Sequence, residues 1–374
     1  MIATGARISR SCGDSESRRE PKVMMTVVER MTGNPRSLSV ARATAQSRDG
    51  AIDAMRGIAI LMVIGIHSLP QPLDAAWAKS LDAALRPCVP VFLFVSGYLT
   101  ALSGRVPLAK RLKAALIPYA IAFAAAYAYM ALHNPAMDHR IGTTLARFAL
   151  GYVFVYYYVF VYVCCTFGLW LVFAIGETAQ PDSRNRIAAL LILAIGGGLF
   201  AGGYLEPAMS RLGASDALID EFRMRDIPFW FSFVALGALT AMFADVTGQS
   251  MRNSLLGAML AGYLLYAAVR ILGLGDAAIY DSTAFFLYAA LFCVALIAIQ
   301  PNSPLLGWFG SGSYFIYLWH IFIVMALRDH TSLRELGGFA GFAASCGVTA
   351  LLSTAARLAV RQFASPRLCR WLGA

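Results

Sequence analysis

From about residue 51 onward the chain is a succession of long apolar runs separated by short polar breaks. The run "ALIPYAIAFAAAYAYMAL" (115–132) carries no charge, and neither does "YVFVYYYVFVYVCCTFGLWLVFAIG" (152–176). About 20 apolar residues wound as a helix cross a hydrocarbon core ~30 Å thick. The pattern predicts about ten such spans, near 51–69, 82–103, 114–132, 153–176, 187–203, 227–245, 254–272, 283–299, 306–327 and 338–360. The expected fold is therefore all-α, a polytopic transmembrane helical bundle in a lipid bilayer, with short loops and its longest connections at 133–152 and 204–226.

Composition agrees with that reading. The 374 residues are 59% hydrophobic and 14% charged, against roughly 25% charged for soluble domains, and the mean hydropathy is +0.63. The net charge of +10 could suggest a nucleic-acid partner, but its distribution excludes one. With the N-terminus inside, alternate loops and tails on the cytoplasmic side collect 20 Lys and Arg, the opposite side collects eight, and Arg56, Arg86 and Arg270 fall within spans. The positive-inside rule then puts both termini in the cytoplasm. The basic excess is a topology signal.

Residues 1–48 form a different material. "GARISRSCGDSESRREPK" mixes Arg, Ser and acids without apolar periodicity, which predicts a disordered basic tail, and it lacks the apolar h-region of a signal peptide. Met24, Met25 and Met31 offer alternative starts. The transmembrane domain is expected over 49–363, followed by a cytoplasmic tail at 364–374. The seven cysteines show no C-x-x-C or metal-like spacing, so neither a disulfide framework nor a metal site is expected. Gly198-x-x-x-Gly202 is read as a close helix contact rather than a glycine loop.

Candidate chemistry begins with "AMRGIAILMVIGIHSLP" (54–70). Arg56 and His67 are eleven residues apart, about 1100° around a helix and so within about 20° of three full turns. They share one face, about 16 Å apart along the axis. Asp53 lies one turn before Arg56 and can pair with it. A snorkelling anchor would account for Arg56, and an ordinary buried histidine would account for His67. The alternative is a wet face on which Arg56 meets an anion and His67 serves as general base. "RPCVPVFLFVSGYLTA" (86–101) then places Ser96 and Tyr98 in an apolar span. Lys110, Arg111 and Lys113 precede the third span, where they serve either topology or a phosphorylated ligand. Late in the chain "GSGSYFIYLWHIFIV" (310–324) adds Tyr317 and a second intramembrane histidine, His320, while its tyrosines and those of "YVFVYYYVFVY" read as interfacial belt residues.

The run "IDAMRGIAILMVIGIHS", then "VPVFLFVSGYLTA", then basic residues leading into "LIPY", and finally "GSYFIYLWH" resembles the integral-membrane acyltransferase family 3 over about residues 48–360. The resemblance implies a bacterial inner-membrane, multi-pass O-acyltransferase that acylates, usually acetylates, cell-surface or exported carbohydrates, including polysaccharides and lipid-linked acceptors. It implies acetyl-CoA as the acyl donor and no metal. Arg56, Lys110, Arg111 and Lys113 would hold the donor. His67 would deprotonate the acceptor hydroxyl or carry the acyl group, and Ser96 and Tyr98 would hydrogen-bond the developing oxyanion. Asp53, Tyr317 and His320 would lend support. The family's basic pair fits Lys110 and Lys113 by spacing, with Arg111 between them, so which cation meets the donor is open. The rival function is a polytopic transporter of a small anionic or sugar-like substrate, which would carry paired broken helices.

Overall fold

A computed structural model describes residues 35–134, 136–153, 155–178, 182–243, 248–274 and 282–374, and most of the basic tail, with Cys12, lies outside them. The described residues are mostly helical, with short turns and loops between helices and no strand among them. Helix α1 spans Pro35–Ser68. Two helices follow, α2 (Ala76–Leu85) and α3 (Cys88–Ser103), and together they form one span-length unit. Next come α4 (Leu108–His133), α5 (Ile141–Ala149), α6 (Tyr157–Glu177) and α7 (Ser183–Arg211). Then α8 (Asp216–Arg223) leads into α9 (Ile227–Phe243), followed by α10 (Gln249–Leu272), α11 (Thr283–Ile299), α12 (Pro304–Ser311), α13 (Ser313–His330), α14 (Gly338–Phe363) and α15 (Pro366–Leu372).

Eight of these segments are long and apolar enough to cross a membrane. The pair α12 and α13, bent by 78° at its junction, brings the number to nine if it is counted as one span. The 17-residue apolar helix α11 is shorter than these, so ten full-length spans are not reached among the described residues. The outlines follow the hydropathy pattern, with three departures. Helix α1 begins at Pro35, inside the segment expected as tail. The two long connections contain helices: α5 sits in 133–152, and in 204–226 α7 continues to Arg211 before α8 begins. Ser215 starts α8 by accepting the Leu218 N–H, with Asp216 in the first turn and Arg223 in the last, a short-range capping signal. The span expected at 306–327 is broken at Gly312.

That break has a named cause. Gly310-Ser-Gly-Ser313 is a run of poor helix formers, and Arg357 of α14, only 1% exposed, occupies the corner. Its Nη1 donates to the Trp308 carbonyl at 2.7 Å, its Nη2 donates to Ser311 Oγ at 3.0 Å, and the guanidinium lies 4.8 Å over the Trp308 ring. A cation thus satisfies the orphan carbonyl end of α12. A Cβ on Gly312 would lie 2.2 Å from that guanidinium, so any larger residue there would displace Arg357 from the corner.

Helices α1, α3 and α9 are the most buried, whereas α7, α10 and α14 expose most of their surface to the surroundings. Close backbone approaches hold the centre together. A Cβ at Gly97 would meet the Val234 carbonyl at 1.9 Å, and one at Gly237 would meet the Phe94 carbonyl at 2.0 Å. The glycine of Ser96-Gly97-Tyr98 is therefore a crossing point of α3 and α9. Gly57, beside Arg56, faces the Leu306 carbonyl, and Gly310 faces the Asp53 carbonyl, which presses α12 onto α1. Gly198 abuts Pro228 and Ser232 of α9, the close helix contact that its spacing predicts.

Candidate active site

Helix α1 is continuous from Arg56 to His67, so the sequence arithmetic holds: one face, three turns, about 16 Å. The two residues sit in different surroundings.

At the Arg56 end the structure gathers cations. Arg56 pairs with Asp53 at 3.5 Å, both side chains more than a third exposed. Arg111 of α4 is half-buried, and its Nη1 donates to Thr100 Oγ1 at 2.7 Å. The charges of Arg56 and Arg111 act on one another, and Arg111 also feels the hydroxyl group of Tyr162. Lys110 and Lys113 are exposed. Of the three basic residues before the third span, Arg111 is the one turned toward Arg56. Ser96 lies on the same side of α3 as Phe92 and Thr100, one turn from each, and Phe92 touches the Tyr158 ring at 5.9 Å.

At the His67 end an open cavity of about 400 Å³ is lined by His67, Gln71, Asp82, Arg86, Ile321 and Arg328 among others. Beside His67, at 5.4 Å between ring centroids, stands His320 of α13. His320 is fully buried. Its Nδ1 faces the carbonyls of Ile316 at 3.0 Å and Tyr317 at 2.8 Å. Carbonyl oxygens only accept, so Nδ1 carries the proton and Nε2 the lone pair. The sequence gives His320 as support, and the fold brings it against His67 across more than 250 residues of chain.

Between the two ends runs a line of rings. His320 lies 6.3 Å from Tyr317, Tyr317 lies 5.4 Å from Tyr158, and Tyr158 lies 6.2 Å from Tyr162. Tyr317 is anchored by donating to the Val155 carbonyl at 2.6 Å, and Tyr156 returns a bond to the Leu318 carbonyl at 2.8 Å. These tyrosines face the interior of the bundle, not a membrane surface. The belt expectation fails for Tyr158 and Tyr317 because the segment before α6 packs on α13. Sequence reading missed Tyr158, Tyr162 and Arg357. The breaker run at 310–313 was the available signal for the bend, whereas nothing local distinguishes an inward tyrosine from a belt tyrosine.

Tyr98 stands apart. Two residues from Ser96 it faces away, stacks on Phe94 at 6.3 Å, and lines a separate pocket of about 20 Å³ with Met55 and Leu296. Among the described residues no group of three or more His, Cys, Asp or Glu could hold a metal ion.

A buried histidine pair with an open cavity on one side and a group of cations three helical turns away is an arrangement that group-transfer chemistry can use. Residues 49–358 match the family described as an acyltransferase domain, and the match covers the helices that carry every one of these groups. The chain belongs to that acyltransferase family. No curated protein and no solved structure matches the chain. The acyltransferase thus holds its candidate residues in two clusters on α1, one around Arg56 and one around His67, joined by the rings of α6 and α13.

Proposed function

We propose that the acyltransferase is an O-acetyltransferase, moving an acyl group other than an amino-acyl group from acetyl-CoA to a hydroxyl of a cell-surface polysaccharide, lipo-oligosaccharide or other exported carbohydrate. The observation that carries this reading is the position of His67, between the Arg56–Arg111 cluster and an open cavity of about 400 Å³. Coenzyme A is a phosphorylated cytosolic thioester, and guanidinium groups form strong charge-assisted bonds to phosphate. The Arg56 end therefore faces the cytoplasm, in line with the positive-inside asymmetry, and the chain sits in a bacterial inner membrane with both termini inside. The thioester reaches along the tyrosine line toward His67, and the acceptor hydroxyl enters from the cavity.

His67 either takes the hydroxyl proton or accepts the acyl group first. In the first route the hydroxyl oxygen bonds the thioester carbonyl carbon while its proton passes to His67. The C–S bond then breaks, and the thiolate recovers the proton. Ser96, one turn from the Thr100 that holds Arg111, stands with the donor-side cluster rather than beside His67, so its hydroxyl is placed to meet the donor on its way in. A transporter would carry matched broken helices in its two halves; among the described residues one bent pair occurs, and family membership favours transfer.

The test is a comparison of surface carbohydrate from wild-type, deletion and His67→Ala strains. Loss of O-acetyl groups in both mutant strains, with the His67→Ala protein present in the membrane at normal abundance, is expected. An unchanged O-acetylation profile in the deletion strain overturns the carbohydrate reading. Wild-type activity in His67→Ala overturns the assignment of His67.

A further inference from the structure

His320 is over-determined on one side of its ring and unsatisfied on the other. Two backbone carbonyls hold Nδ1, while Nε2 is buried with no hydrogen-bond partner among the described residues. A buried acceptor left empty is costly, and folds keep one where a working state fills it. The neighbouring ring is His67, 5.4 Å away and inclined by 42°. At that separation the facing edges of two imidazoles come within hydrogen-bond range after a small side-chain rotation.

We propose that His320 is the positioning residue for His67: its Nε2 accepts a hydrogen bond from one ring nitrogen of His67, so that the other nitrogen presents its lone pair to the cavity. This rests on the reading of His67 as the reacting group. The logic is that of the carboxylate in a hydrolytic triad, which fixes the tautomer and orientation of the working histidine. Here a neutral imidazole does the same work, because an ionised carboxylate is expensive inside a helical bundle in lipid. The device serves both routes. As His67 gains a proton or an acyl group it becomes cationic, and the N–H it keeps is the one held by His320. The other charged groups at the cavity, Asp82, Arg86 and Arg328, belong to α2, its C-terminal end and the far end of α13. Asp82 takes bonds from Arg86 and Arg270, and Arg328 bonds Asp329.

The role separates from a structural one by the choice of substitution. In His320→Asn the amide can still donate to the carbonyls of Ile316 and Tyr317, but the acceptor at the Nε2 position is gone. In His320→Gln the longer amide can place an oxygen near that position. With acetyl-CoA as donor, His320→Asn is expected to lower kcat at least tenfold while donor KM stays within about twofold and the melting temperature stays near wild type. His320→Gln is expected to recover part of that loss. Asn retaining activity, or Gln recovering no more than Asn, overturns the proposal.

A second readout is independent of donor and acceptor. The chain has five histidines, so nitrogen-15 labelling of histidine in bilayers gives a resolvable set. His320 should show a protonated Nδ1 and a hydrogen-bonded, unprotonated Nε2 whose signal moves in His67→Phe. A protonated Nε2, or an Nε2 signal indifferent to His67, overturns the proposal. If wild type turns over no acetyl-CoA, the donor assignment has failed, and the labelling result still decides the role of His320.

Discussion

One arginine pair lies at each end of the face that runs from Arg56 to His67, and the partners of the two pairs differ. At one end Arg86 bonds Asp82 at 2.7 Å, and Arg270 of α10 bonds the same carboxylate, whose side chain is 3% exposed. At the other end Arg111 is bonded, among the described residues, to a neutral hydroxyl, Thr100, and Arg56 to an Asp53 that is itself more than a third exposed. The first group joins α2, the start of α3 and α10 through one shared anion. The second keeps guanidinium edges available. In hydrocarbon a cation is tolerated when it is paired or faces a wet path, and the two groups take one solution each. Between these two groups, pairing to a buried anion separates the charge that holds helices together from the charge proposed to meet a ligand, whereas Arg357 is held on neutral oxygens at the corner between α12 and α13.

The first way to break this comparison is to remove the shared anion. Asp82→Asn preserves shape but leaves two buried guanidinium groups without their carboxylate. Breaking a buried ion pair from one side costs about 3–5 kcal/mol. Folded protein in the membrane should fall steeply, measured by detergent-extractable monodisperse yield and by denaturation midpoint. If Asp82→Asn is as stable as wild type, the Asp82 cluster is not the clamp described here.

Arg56 should behave in the opposite way. Arg56→Ala removes a charge-assisted contact to the donor, about 1.5–3 kcal/mol or on the order of ten- to hundredfold in affinity. The stabilisation of the purified protein by acetyl-CoA, a mass-action effect, should vanish, while the melting temperature of the unliganded protein changes little. Arg56→Lys should lose much of the effect too, because an ammonium cannot reproduce a bidentate guanidinium. A ligand-free melting temperature that collapses in Arg56→Ala would place Arg56 with the structural arginines.

Much of this was legible in the sequence. The apolar runs give the helices because lipid leaves the backbone no other solution, and the eleven-residue spacing of Arg56 and His67 gives their common face because α1 is unbroken. Asp53 pairs with Arg56 for the same local reason. What the sequence did not show depends on contacts between distant segments. Asp82 and Arg270 are 188 positions apart, and His67 and His320 meet only when α13 packs on α1. Arg357 counts toward the cytoplasmic positive charge in the sequence, yet its guanidinium is buried at the corner between α12 and α13. Tyr158 and Tyr98 were misleading in opposite directions. An apparent belt tyrosine lines the interior path, and the tyrosine of the Ser-Gly-Tyr motif faces a different pocket from Ser96.

Arg111 sharpens the comparison further, because it is the cation of its cluster turned toward Arg56. Arg111→Ala should weaken acetyl-CoA binding about tenfold, the effect of one charge-assisted contact. Its only described bond is to Thr100, so stability should fall by no more than the roughly 0.5–1.5 kcal/mol of an ordinary hydrogen bond. The same thermal-shift titration reads both effects. Equal binding by Arg111→Ala and wild type would return the donor contact to Lys110 or Lys113.

The smallest effect is expected at Lys113. Its side chain is exposed, and it lies one turn past Lys110 on α4, which also carries Arg111, with Arg105 just before the helix. Orientation depends on the sum of nearby positive charge, not on one residue, so Lys113→Ala should leave the side reported by a C-terminal fusion the same as in wild type. An exposed charge acts on a phosphorylated donor only through a screened field, with a Debye length of about 8 Å at physiological salt. Acetyl-CoA affinity should therefore change by less than about twofold in Lys113→Ala, and that small change should shrink further as salt is raised. A salt-resistant loss of tenfold or more would mean that Lys113 touches the donor directly, and the distinction drawn between the inward Arg111 and the exposed lysines would then fail.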